Sequence, residues 1–245
     1  MIPLRDSAAP RRLTPMNAAL IAANLAVFVY EYSLGRQVLA FIARYAMVPA
    51  QVSASLPLLE RAGQLGPEAA GLWPPLTIFT AMFLHGGLLH IAGNMLYLLV
   101  FGAAVENRLG PLRYLCFYFA CGIASALATI WIDPASQIPV IGASGAIAGV
   151  LGAYFVLFPR GRILTVLPIF IFIQFIEFPA VVYLLLWFAV QLFYGLMEGA
   201  PGTIVGGVAW WAHVGGFLFG MALGPLLARS QPRRAIERSG RIIRR

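Results

Sequence analysis

Apolar runs of roughly twenty residues, separated by short polar breaks, make up most of the chain. Six are visible: Met16 to Ser33, Phe83 to Val105, Leu112 to Ile132, Ile141 to Phe158, Phe178 to Gly195 and Thr203 to Ala228. Runs of this length match the hydrocarbon thickness of a bilayer. A backbone in lipid must satisfy its own hydrogen bonds, so each run reads as a helix. The pattern predicts an all-α, polytopic membrane protein with one six-helix domain over residues 16–228, a short N-terminal segment 1–15 and a tail 229–245. Two connections break the rhythm. The first, 34–82, is long, carries Arg36, Arg44, Glu60, Arg61 and Glu68, and contains Gly71-Leu72-Trp73-Pro74-Pro75. It reads as a structured loop with short interfacial helices. The second, Arg162 to Glu177, is apolar but interrupted at Pro168. It reads as a segment lying at the membrane interface, with a seventh span as the alternative.

Composition agrees: 60% of the 245 residues are hydrophobic and only 11% are charged, far from the mixture of a soluble domain. Cys116 and Cys121 share one apolar run at a spacing that suits neither a disulfide framework nor a zinc pair, so they read as helix packing. The residues before the first run are polar and include Arg5, Arg11 and Arg12, which is not the pattern of a cleavable signal. No transit peptide is visible either, so the expected location is a bacterial-type plasma (inner) membrane.

Charge orients the bundle. The chain has no lysine, and 14 of its 17 arginines fall in the N-terminus, the 108–113 link, the 160–162 link and the C-terminal tail. With six spans these four regions share one side, which the positive-inside rule makes cytoplasmic. The basic tail after Arg229 then reads as a topology anchor. It has no aromatic residues to stack on bases, so nucleic acid is not an expected partner.

Against this apolar background a few polar residues stand out, because burying them in lipid is costly unless they meet a partner or a wet cavity. Ser144 heads the fourth run within Gly142-Ala143-Ser144-Gly145, and His213 interrupts the sixth. Ser144 lies 16 residues before Arg160, and His213 lies 16 residues before Arg229. His90 and Asn94 lie 18 and 14 residues before Arg108. At ~1.5 Å per residue, 16 residues span ~24 Å, so all four should share one level in the outer half of the bilayer. Gly145, Gly149 and Gly152 share one helical face, as do His213, Gly216 and Gly220. Small residues at such spacings let helices approach closely in lipid.

A serine hydroxyl becomes a nucleophile when a base takes its proton, so Ser144 with His213 is the minimal catalytic pair. The one carboxylate approaching this depth, Glu31, is expected at the outer end of the first span, in contact with water. That favours a dyad without the carboxylate of a serine protease triad. Attack on a peptide carbonyl creates an oxyanion. His90 and Asn94, four apart on one helix face, and the Ser144 amide at its helix N-terminus are the candidate donors. His85 reads as an interfacial or structural histidine. A zinc site of His85, His90 and His213 is disfavoured, because residues five apart diverge by ~140° on a helix, unlike an i,i+4 ligand pair. A transporter would be expected to have charged residues on a pathway and paired broken helices, and neither is evident.

The run His85-Gly86-Gly87-Leu88-Leu89-His90-Ile91-Ala92-Gly93-Asn94, then Gly142-Ala143-Ser144-Gly145, then Ala212-His213-Val214-Gly215-Gly216 with Gly220, resembles the rhomboid intramembrane serine proteases. Ala146 departs from the GxSxG elbow of soluble hydrolases. The resemblance implies a rhomboid-like six-transmembrane bundle, a first loop lying partly in the membrane, Ser144 and His213 as the dyad, His90 and Asn94 serving the oxyanion, and Gly142 opening the loop before the serine. It further implies a small residue on the acyl side of the cut. The Trp-Arg pair often found in the family's first loop is absent, since Pro74 follows Trp73. The expected activity is cleavage of another membrane protein at the outer-leaflet end of a transmembrane helix, with no metal or organic cofactor. The alternative is a catalytically silent relative that binds membrane helices. The lipid bilayer is a partner in either case, and the oligomeric state is left open.

Overall fold

The computed structural model describes residues 2–8, 14–55, 73–169, 172–197 and 207–228. The tail after residue 228, Arg11, Arg12 and the 56–72 part of the long loop, with Glu60, Arg61 and Glu68, lie outside the described residues. The chain begins with strand β1 (Ile2–Asp6) and continues through α1 (Pro15–Ser33), α2 (Val38–Tyr45), α3 (Pro49–Ser55) and α4 (Thr77–Thr80). Then follow α5 (Leu88–Tyr97), α6 (Ala103–Leu109), α7 (Pro111–Ile132), α8 (Ser144–Leu157), β2 (Arg162–Ile169), β3 (Phe172–Pro179), α9 (Ala180–Met197) and α10 (Trp210–Leu227).

Each of the six apolar runs contains a helix. Among the described residues four helical stretches are long and apolar enough to cross a membrane: Leu88–Leu109, Pro111–Ile132, Ala180–Met197 and Trp210–Leu227. A fifth candidate is the pair Pro15–Ser33 and Gly35–Tyr45, bent by 111° at Gly35, whose φ of +52° suits glycine. The Ser144–Leu157 helix has 14 residues, short of a full span. Ala143 and residues 145–154 of that stretch are all buried. It is the central helix of the bundle, enclosed by neighbours instead of lipid.

Close approach of backbones sets the centre. A Cβ added to Gly220 would strike the Gly149 carbonyl, one on Gly216 the Gly145 carbonyl, and one on Gly152 the Phe217 carbonyl. Gly149 faces Cys121 on its other side. Cys121 is buried and Cys116 exposed, both as free thiols. Among the described residues the α8–α10 pair is the most extensive, and α7 packs on both. In lipid, where apolar contact with tails costs helices nothing, such small-residue seams are what bring helices together.

α1 is joined to the bundle differently. Leu88–Leu109 is one helical run with a π-turn at Leu98–Gly102, a bulge that opens the helical hydrogen-bond ladder. The Leu98 carbonyl accepts from Asn17 Nδ2 at 3.0 Å, and Asn17 Oδ1 accepts from the Tyr114 hydroxyl at 2.8 Å. Gly102 leaves the room, since a Cβ there would overlap Asn17. The buried Glu106 carboxylate accepts the N–H groups of Met16 (3.2 Å) and Asn17 (2.6 Å), satisfying the first turn of α1 and complementing its dipole.

Two expectations need correction. The fold is mostly helical but not all-α: β1, β2 and β3 form a three-stranded antiparallel sheet in that order. The Arg162 to Glu177 segment is not a seventh helical span but two paired strands of this sheet. Its β-branched and aromatic residues favour strands. Two paired strands also satisfy each other's backbone, and Ile163 and Thr165 alternate inward on β2. Asp6, buried on β1, accepts from Ala8 N–H (2.8 Å) and from the Tyr154 hydroxyl, which ties the sheet to α8. Burial holds its carboxyl above the ordinary carboxylate range.

The described part of the 34–82 loop is structured. Met47, Val52, Ile78, Ala81 and Met82 form a second apolar cluster against Ala126 and Ile130 of α7. Met47 and Val140 exchange both backbone hydrogen bonds, at 3.1 and 2.8 Å. The loop thereby braces the segment that leads into α8.

Candidate functional site

A cavity of about 870 Å³ opens between α5, α8, α9 and α10. Ser144, His213, His90, Asn94 and Gly142 all line it, so the structure brings the five residues of the predicted site to one place. Such a volume is in the range of ligand-binding clefts.

Ser144 is the first residue of α8. The turn before it depends on Gly142, whose φ of +119° disfavours any other residue. Gly142 N–H donates to the Ala81 carbonyl at 2.8 Å, so the long loop holds the turn in place. A Cβ at Gly142 would lie 2.7 Å from His90 Nε2 and 3.6 Å from Asn94 Nδ2. Glycine therefore lets both nitrogens reach the backbone before the serine. His90 Nδ1 accepts from Gly86 N–H at 3.4 Å, which leaves the ring proton on Nε2, the atom over Gly142. His90 and Asn94 thus present N–H groups to the same spot.

The third histidine has a structural post behind them. His85 is buried; its Nδ1 donates to the Phe83 carbonyl at 3.1 Å, and its Nε2 accepts from Asn94 Nδ2 at 3.0 Å. Both ring nitrogens are engaged by protein, which removes His85 as a metal ligand and makes it the residue that orients Asn94. Glu31 corrects a further expectation: it is buried instead of meeting water. Its carboxylate accepts His85 N–H, with oxygens at 3.3 and 3.2 Å, and so anchors the start of this segment.

His213 lies in the first turn of α10, 5.9 Å from Trp187 and 6.3 Å from Trp210 between ring centroids. Its Nδ1 is 2.7 Å from Gln191 Oε1 on α9. Sequence reading missed Gln191. A signal was available: it is the one amide in the Phe178 to Gly195 run, subject to the same cost of burial that drew attention to Asn94. Among the described residues no hydrogen bond joins Ser144 to His213; the two share the cavity wall, with Nε2 the unoccupied nitrogen of the imidazole.

The fold and the cavity define a class: an integral membrane protein, mostly helical, with a histidine-bearing cleft built between its helices. A family model for the Rhomboid domain matches residues 72–230, well over half of the chain, and the protein belongs to the rhomboid family. RHOMBOID-like protein 1 of Arabidopsis thaliana is 28% identical over 225 residues, 84% of this chain and 51% of that protein. Rhomboid protease GluP of Bacillus subtilis (strain 168) is 42% identical over 85 residues, 35% of this chain and 16% of that protein. Rhomboid protein 1, mitochondrial, of Saccharomyces cerevisiae is 34% identical over 93 residues, 36% of this chain and 27% of that protein. The chain spans at most about half the length of these relatives. The family takes in serine proteases and catalytically inactive members.

Proposed function

We propose that this protein is an intramembrane serine endopeptidase in which Ser144 is the nucleophile and His213 its base. The observation that carries this reading is the shared cavity wall: α8 and α10 meet at glycines, and that seam fixes the serine and the histidine relative to each other. His213 Nε2 takes the Ser144 proton as Oγ bonds to the carbonyl carbon of the substrate. The carbonyl oxygen becomes an oxyanion, met by His90 Nε2–H, Asn94 Nδ2–H and the Ser144 amide. Collapse breaks the C–N bond, and His213 returns the proton to the leaving amine. Water, giving a proton to His213, then attacks the acyl carbon; the bond to Ser144 Oγ breaks, His213 returns the proton to Oγ, and the new carboxyl end of the substrate leaves.

The Ser144 to His213 hydrogen bond forms as substrate fills the cleft; catalytic hydrogen bonds are often long before that point. The substrate is a membrane protein whose helix unwinds into the cavity near its outer-leaflet end, since a helical peptide bond is shielded from attack. The six helices each cross or enter the membrane, with the central α8 shielded by the others. Both termini are cytoplasmic and the membrane is a plasma (inner) membrane, as the arginine distribution favours.

The unformed Ser144 to His213 bond is the one observation that fits a second reading, a silent relative that binds membrane helices. Fluorophosphonate labelling of the purified protein in detergent, with mapping of the modified residue, separates the two. Labelling at Ser144 that disappears in Ser144→Ala and His213→Ala, each retaining the thermal unfolding midpoint, supports the protease. An unlabelled wild-type protein defeats it.

A further inference from the structure

We infer that Gln191 is a positioning residue for His213: its side-chain carbonyl accepts the Nδ1 proton and holds the imidazole as the tautomer whose Nε2 accepts on the cavity side. The inference rests on the reading of Ser144 and His213 as nucleophile and base.

Three observations converge. First, Gln191 Oε1 lies 2.7 Å from His213 Nδ1, in a residue only 5% exposed, so water does not compete for the contact. Second, the amide orientation is determined by its other end. Gln191 Nε2 donates to the Trp187 carbonyl one turn earlier, at 3.1 Å, which leaves the oxygen facing the histidine. A carbonyl only accepts, so Nδ1 must carry the proton and the neutral ring must accept at Nε2. That is the form a base for Ser144 requires. The opposite tautomer would set two lone pairs against each other in a buried site, an unpaired arrangement that burial makes costly. Third, the ring has little freedom to escape. Trp187 lies beside it at an interplanar angle of 36° and Trp210 stands edge-on at 88°.

In soluble serine proteases a buried aspartate performs this task and also stabilises the imidazolium. An amide carbonyl supplies the orientation with a dipole in place of a full charge, which suits a site inside a membrane, where a buried carboxylate would itself need a partner. Replacing the aspartate of the triad costs ~10⁴ in rate. Loss of Gln191 should cost less, on the order of 10–100-fold, by analogy with removal of the hydrogen-bond partners that orient metal-ligating histidines.

The test uses the full chain in detergent, labelled with ¹⁵N-histidine; the three histidines give three sets of side-chain signals, and His213→Ala assigns the relevant one. The wild type is expected to show His213 protonated at Nδ1. Gln191→Leu, which has no acceptor, should give a tautomer mixture and a 10–100-fold lower rate of fluorophosphonate labelling at Ser144. Gln191→Glu keeps shape and acceptor, so it serves where the leucine variant does not fold. A carboxylate beside the ring favours imidazolium, so the acid limb of the labelling rate should move up by about one pH unit or more. A role in helix packing alone would not move that limb. The inference is overturned if wild-type His213 carries its proton on Nε2, or if the leucine variant labels at the wild-type rate, or if the glutamate variant leaves the pH profile unmoved. A wild type with the expected tautomer and no labelling supports the positioning by Gln191 and defeats the protease reading instead.

Discussion

The two ends of the bundle bury polar side chains on opposite terms. At the sheet end, Glu106, Asn17, Tyr114, Asp6 and Tyr154 are bonded to one another or to backbone groups of α1, the π-turn and Ala8. At the cavity end, His90, Asn94 and His213 each have one partner behind them and one polar atom left toward the cleft. Between the ends runs the glycine seam of α8 and α10, where the two backbones come into direct contact. Polar groups bonded to one another and to backbone hold structure; polar groups oriented from behind with bonding capacity in front are equipped for chemistry.

The seam supports both ends, so breaking it should have the largest effect. In Gly220→Val the added atoms would meet the Gly149 backbone, which has no rotamer to yield. Overpacking in a well-filled core costs ~1–3 kcal/mol, more where backbone must move, and α8 would be displaced from α10. Loss of both the unfolding transition and Ser144 labelling is expected. A variant that unfolds at the wild-type midpoint and still labels would show that the seam is not what aligns the two residues.

A cut confined to the cavity end should separate rate from stability. Asn94→Ala removes one of three oxyanion donors, for which a loss of ~10²–10³ in kcat is typical. The variant also frees His85 Nε2, whose unfilled bond should lower stability by only ~1 kcal/mol. Steady-state cleavage of a model transmembrane substrate, read beside the thermal midpoint, checks both. An unchanged kcat would assign Asn94 to structure, together with His85.

The same comparison explains what the sequence disclosed. Ser144, His213, His90 and Asn94 were legible because each interrupts an apolar run, and helical geometry converts their distances from flanking arginines into a common depth. Gly142 entered through the family's motif alone; the positive φ and the approach of His90 that require it are features of three dimensions. Gln191 was overlooked because one amide in an apolar run does not announce a partner 22 residues away on another helix. Glu31 was expected in water because chain position gives depth but not the backbone N–H waiting at that depth. The sheet was hidden for a related reason: apolar strands and apolar helices look alike over eight residues, and β1 lies far from β2 in the chain.

The smallest effect on Ser144 labelling is expected at the sheet end, and it sharpens the contrast most. Glu106→Ala leaves the Met16 and Asn17 N–H groups of a buried helix start without their acceptor. Unsatisfied buried donors cost ~1–3 kcal/mol, so the thermal midpoint should fall. Glu106→Gln keeps one acceptor oxygen and should fall less. Neither change touches the cavity, and the α8–α10 seam is intact in both. The rate of Ser144 labelling per folded molecule, taken well below the midpoint, should therefore equal that of the wild type. A labelling rate that fell in proportion to stability would mean that α1 transmits strain through the π-turn at Leu98–Gly102 to the Asn94 side of the same helical run. The two ends would then be one coupled unit, and the division between structural and chemical polar groups would have to be abandoned.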